Sequence, residues 1–455
     1  MENKSNRRIL AILFTGVLMG ALDISIVGPA IPSIEETLSI DPRMLGWIFS
    51  MYVLFNLSGV SLFARLSDIF GRRIIYISSL GIFAIGSLIV SISHSFTALL
   101  VGRAIQGFGA SGIFPVAAAV VGDIFPPEKR GRVLGLIGAV FGLAFLIGPI
   151  IAGVLLKFFE WSVLFLVNIP IAIVLILVSI RNIPNARVKT SGLFDWKGIL
   201  SLGLMLAAFA FGINHIDTAD FTKSLMSVWV LPFLVGAVLL TITTFLIEKK
   251  AENPIIKFSY FRNRQILIAG TIAIATGILE STFVFIPNFV VGAFHVTASQ
   301  ASFMLIPIVL ATAIGSPVFG RLIDLFGSKI IILLSLLIVA VGFYVLHFSA
   351  ESKILFYASG AMIGLGLSVL SGSSIRYIML NETSVVDRAV TQGMLTIFIS
   401  LGQLTGASLI GVFIAHNERS EGYEHVFLYQ SMFLVLVIVM AFFLKKRRME
   451  MKPVQ

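Results

Sequence analysis

Apolar runs of 18 residues or more recur from one end of this chain to the other, and that recurrence limits what it can become. In hydrocarbon every backbone N–H and C=O must find a partner within the protein, so only α-helices and closed barrels can span it. The runs are about 20 residues long, not the roughly 10-residue alternating segments of a transmembrane barrel, which selects helices. Composition agrees. Of the 455 residues 57% are hydrophobic and 12% charged, against roughly half and a quarter in a soluble domain, and mean hydropathy is +1.00. The first run continues past the length of a signal-peptide core and reads as a retained span. The lack of cysteine excludes disulfides, thiolate metal sites and cysteine nucleophiles.

Fourteen spans are expected, roughly at 9–31, 46–66, 74–92, 97–119, 131–154, 161–180, 197–215, 227–247, 266–291, 299–320, 329–348, 354–375, 389–414 and 426–444. With the N-terminus inside, about 27 Lys and Arg fall on the inner side and about 5 outside, as the positive-inside rule requires. Inner clusters include Arg72 and Arg73, Lys129 to Arg132, Lys249 and Lys250, and Lys445 to Arg448. The outer segments carry Glu35, Glu36, Asp217, Asp220, Glu418, Glu421 and Glu424. The net charge of +10 is therefore a topology signal and not a nucleic-acid patch. The reading is an all-α, multi-pass protein of a bacterial cell membrane with both termini cytoplasmic.

The chain repeats itself. Residues 64–71 read ARLSDIFG and residues 320–327 read GRLIDLFG, identical at five of eight positions. The same offset carries Asp23 to the neighbourhood of Glu280 and Pro32 to that of Pro287. Two six-helix halves, 1–182 and 265–455, then flank an insert of two helices with their linkers, 183–264. Parallel repeats of this kind place a site at their interface near the bilayer midplane.

Three ionisable residues fall inside the expected spans: Asp23, Arg103 and Glu280. A charge at mid-bilayer costs about 2.5–3.5 kcal/mol on insertion scales, so such residues face a bundle interior or a watered cavity. Asp23 and Glu280 lie about 14 residues along their helices, roughly 21 Å up, and Arg103 lies at nearly the same height on a descending helix. Arg103 can serve as the counter-ion of Asp23 or take part in handling protons or substrate charge. Glu280 has no basic residue in the expected spans of its own half, which favours its protonated form. Asn56, Gln106, Asn168, Asn288, Gln392 and Gln403 either line the same cavity or bond helix to helix.

These residues stand in recognisable motifs. The chain resembles the major facilitator superfamily, most closely its fourteen-span drug:proton antiporter branch, over nearly its whole length. ALDISIVGPAIPS (21–33) is similar to that branch's first-helix motif, with Asp23 at the acidic position. ARLSDIFGRR resembles the superfamily signature between spans two and three through Asp68, Gly71, Arg72 and Arg73, with Ala64 in place of the opening glycine. Its copy keeps Gly320, Arg321, Asp324, Gly327 and Lys329. GRAIQGFGASG matches the R-x-x-Q-G pattern through Arg103, Gln106 and Gly107, and the resemblance implies that the arginine takes part in proton coupling. AFLIGPIIAG resembles the antiporter motif through Gly148, Pro149 and Gly153, with Ala144 and Ala152 replacing glycines. WSVLFLVNIP and FDWKG resemble the openings of span six and of the insert, with Ser162 where arginine is common.

The resemblance implies a proton-coupled exporter of amphipathic, cationic compounds, acting by alternating access. Asp23, Glu280 and Arg103 would couple protons. Asp23, Glu280, Asn56, Gln106, Asn168, Asn288, Gln392 and Gln403 would meet substrate. The coupling ion is the proton, no other cofactor is expected, and the partners are small molecules and the lipid bilayer around a monomer. An exporter of lipid-like or anionic molecules using Arg103 is the alternative. An intramembrane enzyme is remote, since VVGD at 120–123 lacks the first glycine of the aspartyl-protease stretch and no nucleophile–base set is embedded.

Overall fold

The structure, a computed structural model, describes residues 4–125, 127–184, 196–216, 220–251, 254, 256–371, 373–383, 388–414 and 421–445. Among them there are helices and no strand. The first half comprises α1 (Lys4–Leu38), α2 (Gly46–Phe70), α3 (Arg72–Ser91), α4 (Phe96–Ile124), α5 (Pro127–Phe158) and a sixth span broken into α6 (Ser162–Leu166) and α7 (Asn168–Asn182). The insert is α8 (Trp196–Asn214), the short α9 (Phe221–Leu225) and α10 (Leu231–Glu248). The second half begins with α11 (Arg264–Phe294), then α12 (Ala298–Met304) leading into α13 (Ile306–Phe326), and α14 (Ser328–His347). It continues with α15 (Lys353–Leu370) leading into α16 (Ser373–Asn381), then α17 (Arg388–Ile414) and α18 (Glu421–Ala441).

A helix thus occupies each of the fourteen expected positions. Among the described residues twelve stretches are long and apolar enough to cross a bilayer, and α2, bent by 41°, makes up to thirteen. The remaining position is that of α5, whose apolar stretch Leu143–Phe158 is shorter. Helix starts follow from local chemistry. Ser95, Asn263 and Ser352 each accept a backbone N–H of the first turn, and Thr297 with Gln300 forms a capping box.

The turns of the internal repeat have a common geometry. Gly71 and Gly327, with φ of 106° and 86°, join α2 to α3 and α13 to α14 in a backbone region that L side chains avoid. In each half the base two residues after that glycine caps the last helix. Arg73 Nη1 donates to the Ile180 carbonyl (2.7 Å), and Lys329 Nζ donates to the Phe442 carbonyl.

Call the membrane side at which α1 begins and α18 ends the terminal face. The halves touch near the opposite face. Gly28 of α1 lies against the Val284 backbone of α11, and Gly46 of α2 against the Ala407 carbonyl of α17. Ser299 Oγ donates to the Gly153 carbonyl of α5 (2.5 Å). The insert lies across this seam. Asn214 of α8 donates to Ser408 Oγ of α17 (2.6 Å), while Trp47 of α2 packs on Phe211 and Gly203 lies near Ser58. In turn α10 bonds to α8 through Thr244 and Ser201 (3.0 Å).

Between helices the backbone approach is close enough to require glycine. A Cβ on Gly277 of α11 would sit 2.0 Å from the Ile399 carbonyl oxygen, and one on Gly402 of α17 would sit 2.0 Å from that of Ile274. Without a hydrophobic driving force between helices in lipid, such contact carries much of the association. We predict that Gly277→Val and Gly402→Val each push α11 and α17 apart, costing about 1–3 kcal/mol or more. A detergent melting temperature equal to that of the parent for both would refute this.

Candidate functional site

Asp23 lies where five helices of the first half converge. Its Oδ2 accepts from Arg103 Nη1 of α4 at 2.8 Å. Its Oδ1 accepts from Gln106 Nε2 at 2.6 Å and from Asn168 Nδ2 of α7 at 2.9 Å. Arg103 Nη1 also donates to Gln106 Oε1 (2.7 Å), and its Nε to the Ile48 carbonyl of α2 (3.1 Å). Gln106 Nε2 and Asn168 Nδ2 reach Ser87 Oγ of α3 at 2.8 and 3.4 Å. The guanidinium lies 4.4 Å from the ring centre of Tyr52, a cation–π contact.

The sequence explains this convergence. The i, i+3 spacing of Arg103 and Gln106 places both on one face of α4, and glycines bring that face close. A Cβ on Gly107 would sit 2.2 Å from the Tyr52 carbonyl oxygen, and one on Gly86 would sit 2.4 Å from the Gln106 nitrogen. Both Asp23 and Arg103 have 0% exposure. The carboxylate expected to face an open cleft is therefore closed off in this conformation, because donor groups from α4 and α7 fill its surroundings. Arg103 Nη2 is buried with no partner among the described residues.

Glu280 is different. It is half-buried on α11, and its Oε2 accepts from Gln403 Nε2 of α17 at 3.0 Å. Ser371, at the break between α15 and α16, lies within hydrogen-bonding reach, and Arg376 of α16 lies close enough for charge attraction. Arg376 Nη1 donates to Gln392 Oε1 of α17 at 3.3 Å. The expectation that this half holds no basic residue within its spans is thus corrected. The span ends at Asn381, not near 375, because α16 carries it past the polar Ser371–Ser374 stretch.

The other candidates divide. Gln106 and Asn168 join the Asp23 network, and Gln403 and Gln392 join the Glu280 cluster. Asn56 donates to the Gly107 carbonyl (3.3 Å), and Asn288 to the Tyr423 hydroxyl of α18 (2.9 Å), so both bond helix to helix. Ser87, Tyr52, Ser371 and Arg376 escaped sequence reasoning. Serine and tyrosine are too common in such helices to stand out, whereas a base one residue past an assumed span end was a usable signal.

The motif residues serve packing and latching. Arg72, 6% exposed, pairs with Asp68, with Asp123 of α4 (2.9 Å) and with Ser67 Oγ (2.7 Å). Gly148 of α5 lies against Ser25 of α1, whose hydroxyl also donates to the Ala144 carbonyl (3.1 Å). Pro149 is buried inside α5. A Cβ on Gly153 would meet the Phe303 ring at 3.0 Å. Gly320 and the exposed Arg321 lie on α13; the side chain of Asp324 is outside the described residues.

Helices at fourteen positions, twelve in two repeated halves and two in the insert, with a polar cluster inside each half, define a multi-pass transporter. The sequence matches the Major Facilitator Superfamily over residues 13–279 and 266–454, and the chain belongs to that family. The multidrug transporter protein MdtP of Bacillus subtilis (strain 168) is 30% identical over 92% of this chain and 77% of its own length. A triacylglyceride transporter of Mycolicibacterium smegmatis is 27% identical over 90% of this chain and 76% of its own. The crystal structure of a point mutant of the nucleoside transporter NupG superimposes with a TM-score of 0.70, covering 98% of this chain and 100% of that one at 14% identity, a likeness of fold.

Removing one partner of a buried ion pair costs about 3–5 kcal/mol, whereas replacing both can be nearly neutral. We predict that Arg103→Met melts well below the parent in detergent and that Asp23→Leu/Arg103→Met recovers most of the loss. A double variant no more stable than the single one would show that the pair is not the unit holding these helices.

Proposed function

We propose that this transporter exports amphipathic compounds bearing a cationic centre, in exchange for protons, and that Glu280 is the group at which proton and cargo compete. The observation that carries the reading is the contrast between the two acids. Asp23 is neutralised by Arg103 inside a closed pocket, whereas Glu280 is partly exposed and accepts from one amide of α17. A carboxylate in that position holds a cation when ionised and releases it when protonated. The resemblance of the motifs and the multidrug name of MdtP point to efflux.

With both termini in the cytoplasm, as the placement of Lys and Arg suggests, contacts near the opposite face close the outer side and leave the inner side to receive cargo. Alternating access then requires Gly28–Val284, Gly46–Ala407 and Ser299–Gly153 to part while the terminal-face ends come together. The Asp68–Arg72–Asp123 latch lies at that terminal face. Asp23 and Arg103 would form the second proton-sensitive element, answering only when α1 and α4 move relative to each other. The named relative that carries triacylglyceride supports a second reading, an uncharged lipid-like cargo.

In proteoliposomes with an imposed pH difference, Glu280→Gln is expected to reduce proton-driven transport of a cationic dye at least tenfold. Asp23→Asn should also lower it. Dye movement that is insensitive to the pH difference in the unaltered protein, or unchanged in Glu280→Gln, would refute the proton-coupled reading. Transport of a neutral lipid probe without any cationic dye would support the second.

A further inference from the structure

Arg376 is a basic residue inside a span that the function proposed above does not use. It sits in α16, inside the span Lys353–Asn381, and its side chain is exposed. A guanidinium in a span must face protein or water, since hydrocarbon cannot solvate it. Its neighbours settle the direction. It bonds Gln392 of α17 and lies near Glu280 of α11. Those two helices meet the first half, α11 against α1 at Gly28 and α17 against α2 at Gly46. Arg376 therefore points towards the two helices that border the seam between the halves.

Its place along that seam follows from chain order. Gln403, which holds Glu280, lies 11 residues further along α17 than Gln392, and α17 starts at the terminal face. Arg376 thus lies between the terminal face and Glu280. In the orientation proposed above, a solute coming from the cytoplasm passes it first.

Asp23 and Arg103 cancel within their closed network. Outside that network stand Glu280 and Arg376, one carboxylate and one guanidinium, a pair without net charge rather than an anionic group. A bare cation gains from Glu280 and is repelled by Arg376. A molecule with a cationic centre and an anionic group can satisfy both. The donors are also in excess here, because Arg376 shows one hydrogen bond and Gln392 Nε2 is buried with no acceptor among the described residues. An unfilled donor set of this kind suits a carboxylate, which a guanidinium recognises with two parallel N–H···O bonds.

We infer that Arg376, on the cytoplasmic side of Glu280, is an anion-recognising group of the transport path, and that the preferred cargo is zwitterionic. This rests on the proposed role of Glu280. It names a specificity determinant, not a second coupling site.

The test uses two dyes of one scaffold: rhodamine 123, a cation whose carboxyl is a methyl ester, and rhodamine 110, its free acid. Both are offered to the purified full-length protein in proteoliposomes under an imposed pH difference. Binding of each dye to the detergent-solubilised protein, and its melting temperature, are measured in parallel. The parent should move both dyes. Arg376→Gln should lower transport and binding of the free acid at least tenfold while leaving the ester unchanged or improved. Arg376→Lys, which keeps the charge but not the planar fork, should retain part of the free-acid activity.

Equal loss of both dyes in Arg376→Gln and Arg376→Lys overturns the inference and makes Arg376 a packing residue. So does a parent that moves the ester and ignores the free acid. Failure of the reading beneath it looks different: both dyes would move, or fail to move, regardless of the pH difference, and Glu280→Gln would behave as the parent does.

Discussion

A carboxylate and a guanidinium, 2.8 Å apart and without exposed surface, bind the first half of this protein together. Neither charge could sit alone in hydrocarbon, and neither can leave without stranding the other. Their partners come from α1, α2, α3, α4 and α7, so the position of every one of those helices is fixed by the same few atoms. The glycines of α4 and α3 follow from this requirement. A side chain at Gly107 or Gly86 would hold the backbones apart and take the amide of Gln106 out of reach of Asp23.

The second half repeats the backbone and changes the chemistry. Where Arg72 joins Asp68 and Asp123 in the first half, the equivalent position is Ser328, fully buried. Where Asp23 is closed in, Glu280 is half-buried and has an exposed arginine nearby. Yet the turn glycines keep the same left-handed region and the following base caps the same terminal helix in both halves. Duplication preserved what shapes a bundle. The polar interior diverged, giving one half that is internally locked and one whose charged groups lie on or beside the helices that border the seam.

Much of the architecture was legible because bilayer physics writes it into the sequence in long strokes. Apolar runs, alternating basic loops and the ARLSDIFG/GRLIDLFG repeat located a helix at each position. Depth counting put Asp23 and Arg103 at one level, where they pair. What could not be read was enclosure. Whether a carboxylate at a given depth is closed off or open depends on where Gln106 and Asn168 point, and no periodicity carries that. Arg376 was missed for a simpler reason: the polar stretch Ser371–Ser374 resembles the end of a span, whereas the chain resumes a helix there and goes on to Asn381. Asn288 stayed open between two readings because a polar residue on an interior face looks alike whether it meets Tyr423 or a solute.

The insert gains meaning from where it lies. α8 is hydrogen-bonded to α17 through Asn214 and packed on α2 through Phe211 and Gly203, so it spans the join between the two bundles at the side where they touch. A plank nailed across a double door must come away from one leaf before the door can swing. Whichever contact gives way, its loss enters the energy difference between the two ends of the transport cycle.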